Sequence, residues 1–168
     1  METTNTLNWN ATAFFQNLVA RNKFATAHGF TFARVSGLEG FEEALQKMQK
    51  MQNTTAFVCV SDMSQGYIAL ANTPRTRRVK TVFLAMRHAI DDMEARLSCM
   101  ETLRELFRQF MSKLILERTR LEQSCIYLDE RITFNEMNEY FFSGCACAYF
   151  QIAVDTFTDL RWNADEWE

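Results

Sequence analysis

Breakers are scarce in this chain: one proline, Pro74, and five glycines in 168 residues. So few exclude a Pro/Gly-rich linker, and neither an internal repeat nor a low-complexity segment stands out, so residues 1–168 are expected to form a single domain with a short polar tail at 159–168. Histidine is as rare, with only His28 and His88. Neither sits in a motif, and GxSxG, HExxH, Walker and GxGxxG patterns are all missing, which leaves catalysis without a recognisable nucleophile, base or phosphate loop. No apolar run reaches the length of a membrane span. The start, Met1-Glu2-Thr3-Thr4-Asn5, has neither a basic nor an apolar leader region, so no signal peptide is expected. The five cysteines are odd in number and contain no CxxC pair, which points to reduced thiols in a cytosol. Without export, the acceptor patterns at Asn10 and Asn53 are empty matches. Cationic excess is absent too: the formal net charge is −3, so no general affinity for nucleic acid is implied.

What is present is an ordinary globular composition, 48% hydrophobic and rich in Phe. Its organising stretch runs from Ala89 to Gln123. Ile90, Met93, Leu97, Met100, Leu103, Phe107, Phe110 and Leu114 recur at steps of three and four, one stripe along a helix of about 50 Å. Asp91 and Asp92 suit its positive end, and Arg118 and Arg120 its negative end. A second apolar side holds Leu106, Met111, Ile115 and Leu116. It is read either as burial between the sheet and the N-terminal helix or as a subunit contact.

The remaining elements follow from periodicity. A first helix is expected from Leu7 to Lys23, capped by Thr6, with Leu7, Ala11, Phe14, Phe15 and Leu18 on its apolar side. A break at Ala25–Gly29 precedes a strand at Phe30–Val35. Ser36-Gly37 turns the chain into a second helix at Leu38–Gln52. Ala56–Val60 reads as a strand covered on both faces, Asp62–Gly66 as a turn, and Tyr67–Ala71 as the returning strand. After Pro74 comes a basic loop, then a strand at Val79–Met86 with Phe83 and Ala85 facing one way and Val82 and Leu84 the other. Ser124–Phe134 alternates as a strand or extended connector, and Asn135–Ser143 continues it or turns. Cys145–Thr158 is the clearest strand, with Ala146, Ala148, Phe150, Ile152 and Val154 on one face. The fold class is therefore α+β: a mostly antiparallel sheet packed by one long helix and two shorter ones.

Few constellations invite chemistry. A Cys147–His88 pair is conceivable in space, but buried cysteine usually behaves as a small hydrophobe. Cys145 and Cys147 share a strand face, yet a structural zinc site takes about four ligands, so packing is the better reading and neither metal nor cofactor is expected. Arg75, Arg77, Arg78 and Lys80 bring four cations into six residues. They are read as a solvated hairpin tip, or as a contact with an acidic partner or DNA phosphates. The interleaved aromatics of a single-strand platform are absent. Trp162 and Trp167 lie in an acidic tail that either packs on its own domain or meets a neighbour, where tryptophan is favoured.

Gly144 precedes the alternating strand Tyr149-Phe150-Gln151-Ile152-Ala153-Val154-Asp155, and a polar tail with Asn163, Asp165 and Trp167 follows. With the long helix before it, this second half resembles small virion proteins of tailed bacteriophages, especially those infecting gut Bacteroidales and their prophage-like elements. Among these it is most similar to tail-completion or tail-terminator proteins. The usual aromatic-Asn-Pro segment of the tail is replaced here by Arg161-Trp162-Asn163-Ala164.

The resemblance implies a homo-oligomeric ring, commonly a hexamer, at the head-proximal end of a tail assembled in the host cytoplasm. Such a ring stops tube growth and joins the tube to the head connector, with no cofactor, no catalytic residue and no membrane. DNA passing the lumen lies near loops such as that of Arg75, Arg77 and Arg78, at most non-specifically. The alternatives are a small intracellular binding or regulatory module and, last, an enzyme.

Overall fold

The computed structural model describes residues 9–35, 56–61, 65–137 and 144–167. In chain order these form α1 (Ala11–Arg21), α2 (Lys23–Ala27), β1 (Phe30–Val35), β2 (Ala56–Ser61), β3 (Gln65–Ala69), β4 (Arg75–Arg87), α3 (Met93–Gln123), β5 (Ile126–Leu128), β6 (Phe134–Glu136), β7 (Cys145–Phe157) and a final 3₁₀ turn, Ala164–Glu166. The expected turn and helix over 36–52 lie outside the described residues, as do Thr6, Leu7, positions 62–64 and positions 138–143.

One seven-stranded sheet holds the strands together, in the order β1-β2-β4-β7-β5, with β3 also on β4 and β6 also on β7. The pairs are antiparallel except β1 with β2. Its axis is the β4–β7 ladder, which runs thirteen residues from Arg75 opposite Phe157 to Arg87 opposite Cys145. The architecture is the expected one, a mostly antiparallel sheet with one long and two shorter helices, and it includes a short helix that was not foreseen. Lys23–Ala27 is helical where a break was expected. Asn22 explains it: its backbone N–H closes α1 onto Leu18 O, and its side chain accepts from Ala25 N at 2.7 Å, so one residue ends a helix and caps the next. Likewise α1 begins at Ala11, where Asn10 caps it by accepting from Ala13 N.

Alternation sorts the strands into two buried faces. Val58, Val60, Val82, Leu84, Ala148, Phe150, Ile152 and Val154 meet the helices. Phe57, Cys59, Phe83, Ala85 and Cys147 form the core of the opposite face. All six residues of β2 are buried, as expected of a strand covered on both sides. The expected hairpin between β2 and β3 does not form. Both strands run antiparallel to β4 along the edge that β7 leaves free, β2 on Val82–Met86 and β3 on Arg75–Val79. Val60 faces Val82 and Gln65 faces Val79, so β3 continues β2 in the same direction with two extra residues between them.

α3 has 31 residues and is about 47 Å long. Asp92 caps it by accepting from Ala95 N at 2.8 Å. The expected stripe holds from Met100 onward. Ile90 precedes the helix, and Met93 and Leu97 are exposed, because the first turns run ahead of the point where Cys99 donates to Arg87 O at the end of β4. Leu106, expected on the second side, belongs to the core stripe: its helical neighbours Leu103 and Phe110 are buried with it, and it is 0% exposed. Each such side chain contributes about 1.5–3 kcal/mol through burial. α1 lies along α3 in the opposite sense, with Trp9 meeting Glu117, Phe15 meeting Phe110, and Asn22 meeting Gln109. At the far end Cys125 takes the left-handed conformation, φ 57°, that terminates many helices.

Candidate functional site

The basic run is not a loop. Arg75, Arg77, Arg78 and Lys80 lie within β4, extended by hydrogen bonding to β7 on one edge and β3 on the other. The strand therefore sends its cations to opposite faces. Arg75 and Arg77 point away from the helices, and Arg78 and Lys80 point toward them, in phase with Val82 and Leu84.

On the outer face Arg77 is neutralised. Arg77 donates to Asp155, its cross-strand partner on β7, at 2.8 Å, and also pairs with Asp129 just beyond β5. The hydrogen bond from Arg77 holds the Asp129 carboxyl below the ordinary carboxylate range, and the same bond raises the Arg77 guanidinium. Arg75 sits 5.1 Å from the centre of the Tyr127 ring, a cation–π distance.

On the helix face the setting is different. A cleft of about 470 Å³ opens between the start of α1 and this end of the sheet. Arg34 of β1 and Arg78 and Lys80 of β4 converge on it, with Trp9, Ile152 and Val154 as apolar walls. Asn10, Ala11 and Thr12 bring the first turn of α1 to its rim, and that turn contains no acidic residue. Helix N-terminal N–H groups add to the positive field. Lys80 Nζ donates to Ser61 O at 3.0 Å, while Glu117 accepts the Trp9 indole N–H and is itself paired with Arg120. Among the described residues no carboxylate lines the cleft. Sequence reasoning missed Arg34 and the α1 start, since both lie far along the chain from Arg78. The period-two pattern of β1, with Phe30 and Phe32 inward, was the signal that placed Arg34 on the same face.

The expected interface residues divide. Leu106 is core, and Met111 is half-buried against it. Ile115 and Leu116 are 67% and 64% exposed. Ile115 itself lines a groove of about 280 Å³ between α3 and the segment after β5, with an apolar floor that includes Phe107, Met111 and Leu128 and a charged rim of Arg118, Asp129 and Glu130. Trp162 and Trp167 are 71% and 66% exposed and stack on each other, with centroids 5.4 Å apart. Both are largely exposed and not packed against the described part of the domain. Thr158 N bonds Pro74 O, and from Leu160 to Trp167 the tail is exposed.

The cysteine and histidine candidates point to packing. All five thiols are free. Burial pushes the Cys59 thiol up to about 12. Cys147 hydrogen-bonds its neighbour Cys145; that bond, with burial, raises the Cys147 thiol, and the same bond lowers that of Cys145 against the effect of burial. His88 is buried, with Nδ1 on Ala89 O at 2.8 Å and Nε2 without a hydrogen-bond partner. Among the described residues no group of three or more acids, histidines or cysteines is placed to hold a metal, and no helix is long and apolar enough to cross a membrane. No protein-family model matches the chain, and no curated protein matches it significantly.

Proposed function

We propose that this protein is a structural assembly protein that associates with itself into a ring and, following the resemblance of its second half, caps a phage tail tube and joins it to the head connector. The observation supporting self-association is the exposure of four large apolar side chains on two separate surfaces, Ile115 and Leu116 on α3 and Trp162 and Trp167 on the tail. Grouped exposed apolar side chains mark interaction surfaces, and tryptophan is the residue most enriched where binding energy concentrates. The virion role rests on the resemblance alone.

Native mass spectrometry and negative-stain microscopy test the first part, and binding to isolated tail tubes or connector tests the second. Ile115→Glu is expected to weaken assembly and leave thermal unfolding of the monomer unchanged. Met111→Glu, which places a charge against the core, is expected to destabilise the monomer as well. A monomer that binds neither tube nor connector rules the proposal out. The cationic cleft favours a second reading, a small binding module. That reading predicts a stable monomer or dimer that takes up a soluble anion.

A further inference from the structure

We propose that the first turns of α3 in one copy of this chain dock on the outer face of the sheet in the next copy, against Tyr67, Tyr127 and Phe157. The inference rests on the assembly reading and names a contact that builds it.

The receiving face comes from the strand register. Tyr67 of β3 is opposite Arg77 of β4, Arg77 is opposite Asp155 of β7, and Asp155 is opposite Tyr127 of β5. Cross-strand partners share a face, so the two tyrosines flank the Arg77 ion pairs. Phe157 lies opposite Arg75 in the next row of the same face. The three rings are 41% to 62% exposed. Together they present on the order of 300 Å², over a third of the ~800 Å² that one partner brings to a standard interface. Arg77 is held by Asp129 and Asp155. Arg75 is exposed over the Tyr127 ring, and no ion pair engages it among the described residues.

The inserting surface is the part of α3 that runs ahead of the sheet. Ile90, Met93 and Leu97 are exposed there, although they keep the spacing of the stripe that is buried from Met100 onward. Met93 and Leu97 stand four residues apart, and Glu94 neighbours Leu97 at a spacing of three, so they share one side of the helix. Asp91 and Glu94 are exposed carboxylates without an ion pair among the described residues, while Glu101 one turn on is held by Arg104. One surface therefore combines apolar area with an unpaired cation, and the other combines it with unpaired carboxylates. Such surfaces are complementary in both respects.

Their positions make the contact head to tail. Arg75 begins β4 and Arg87 ends it, and the thirteen-residue strand is about 40 Å long. Cys99 ties the start of α3 to the Arg87 end, on the helix face, whereas the rings lie at the Arg75 end of the outer face. One copy cannot join its own two surfaces. A contact between unlike surfaces is heterologous and closes into a ring when the rotation permits. A single nucleic-acid strand also stacks on exposed rings, but it finds one unpaired cation on this face and gives the exposed end of α3 no role.

Two double variants of the full-length chain test this, read by native mass spectrometry and light scattering over a range of concentration. Tyr67→Thr with Phe157→Thr removes the receiving face, and Met93→Gln with Leu97→Gln removes the inserting one. Each alone is expected to weaken self-association about tenfold or more. Mixed in equal amounts they are expected to form a one-to-one pair that grows no further, because each supplies the surface the other lacks. That pair also shows that both variants fold. Charge provides a second check: Arg75→Glu is expected to weaken association about tenfold, and adding Asp91→Lys with Glu94→Lys restores most of the loss.

A mixture that stays monomeric, with no rescue of Arg75→Glu, overturns the contact. So does one double variant that assembles normally while the other does not, because the surface at fault then meets something else. If both double variants assemble like the wild type while Ile115→Glu does not, the contact is overturned and the assembly reading stands. If the wild type is monomeric at every concentration, both fall. A single-stranded oligonucleotide that binds the wild type and is lost in Tyr67→Thr with Phe157→Thr, with assembly unchanged, makes the face a stacking platform and overturns α3 as its occupant.

Discussion

On one face of β4, Arg77 lies between Asp129 and Asp155 and Arg75 lies over Tyr127; on the other, Arg78 and Lys80 share a cleft with Arg34 and no described carboxylate lines it. The residues are chemically alike and adjacent in sequence. What differs is what the neighbouring strands bring. β7 and the end of β5 bring acids to the outer face. On the helix face β7 brings Ile152 and Val154, and β3 brings Gly66 opposite Arg78. Arg77 is bound up in holding the sheet together, while Arg78 and Lys80 border a cleft, with Lys80 also donating to Ser61 O. A cluster of basic residues thus has no single meaning on a strand: each face has to be read with its own cross-strand partners.

The change expected to disturb both faces most is Gly66→Ala. A Cβ there meets the Arg77 carbonyl oxygen at 1.9 Å, and backbone cannot step aside as a side chain tip can. β3 must then part from β4, at about 2–3 kcal/mol, visible as a lower urea midpoint and faster amide exchange from Arg75 to Val79.

Arg77→Met separates the faces. It leaves Asp129 and Asp155 near each other without their common cation, and is expected to cost about 1–2 kcal/mol, between the values for exposed and buried pairs. If Arg77→Met is neutral, the outer face is no more structural than the inner one, and the contrast fails.

The same pair carries a pH signature. Because Arg77 holds the folded-state Asp129 below its unfolded value, the unfolded chain binds more protons as pH falls. The pair's stabilisation is therefore complete above about pH 4 and is lost below it as pH falls through the folded value. Urea midpoints at pH 7 and pH 3 check this: the gap between wild type and Arg77→Met narrows at the lower pH.

Smallest of all is the effect of Arg78→Met on folding. It removes one of three like charges around the cleft and is expected to change stability by no more than about 0.5 kcal/mol, in either direction. A loss as large as that of Arg77→Met means that Arg78 supports the fold.

Much of the scaffold was legible in advance where one local rule operated alone. The faces of β7 and of the apolar half of β4 follow from alternation, and both appear as read. The buried stripe of α3 follows from Met100 onward. The reading failed where a second influence entered. The basic half of β4 lacks apolar alternation, and hydrogen bonding to two neighbours makes it a strand. Met93 and Leu97 keep the helical spacing, but the sheet has ended before it reaches them. Leu106 looked like a second side because a stripe chosen at Phe107 displaced it by one position. Of the candidate site, Arg78 and Lys80 were legible as cations and not as cleft residues. The tail's tryptophans stood out at once.

Local chemistry in the chain determined the period of each element, the asparagine and aspartate caps at Asn10, Asn22 and Asp92, and the sharing of a face by residues two apart. Those properties involve atoms within a few bonds or one helical turn of each other. Tertiary structure alone decided which acids met Arg77. Asp129 and Asp155 lie 52 and 78 residues from Arg77, and Arg34 reaches the cleft from the far side of the sheet order, through β2. Coulomb attraction and desolvation act over a few ångströms of space, whatever the distance along the chain. The charge state of each face therefore existed only once the strands had taken their places.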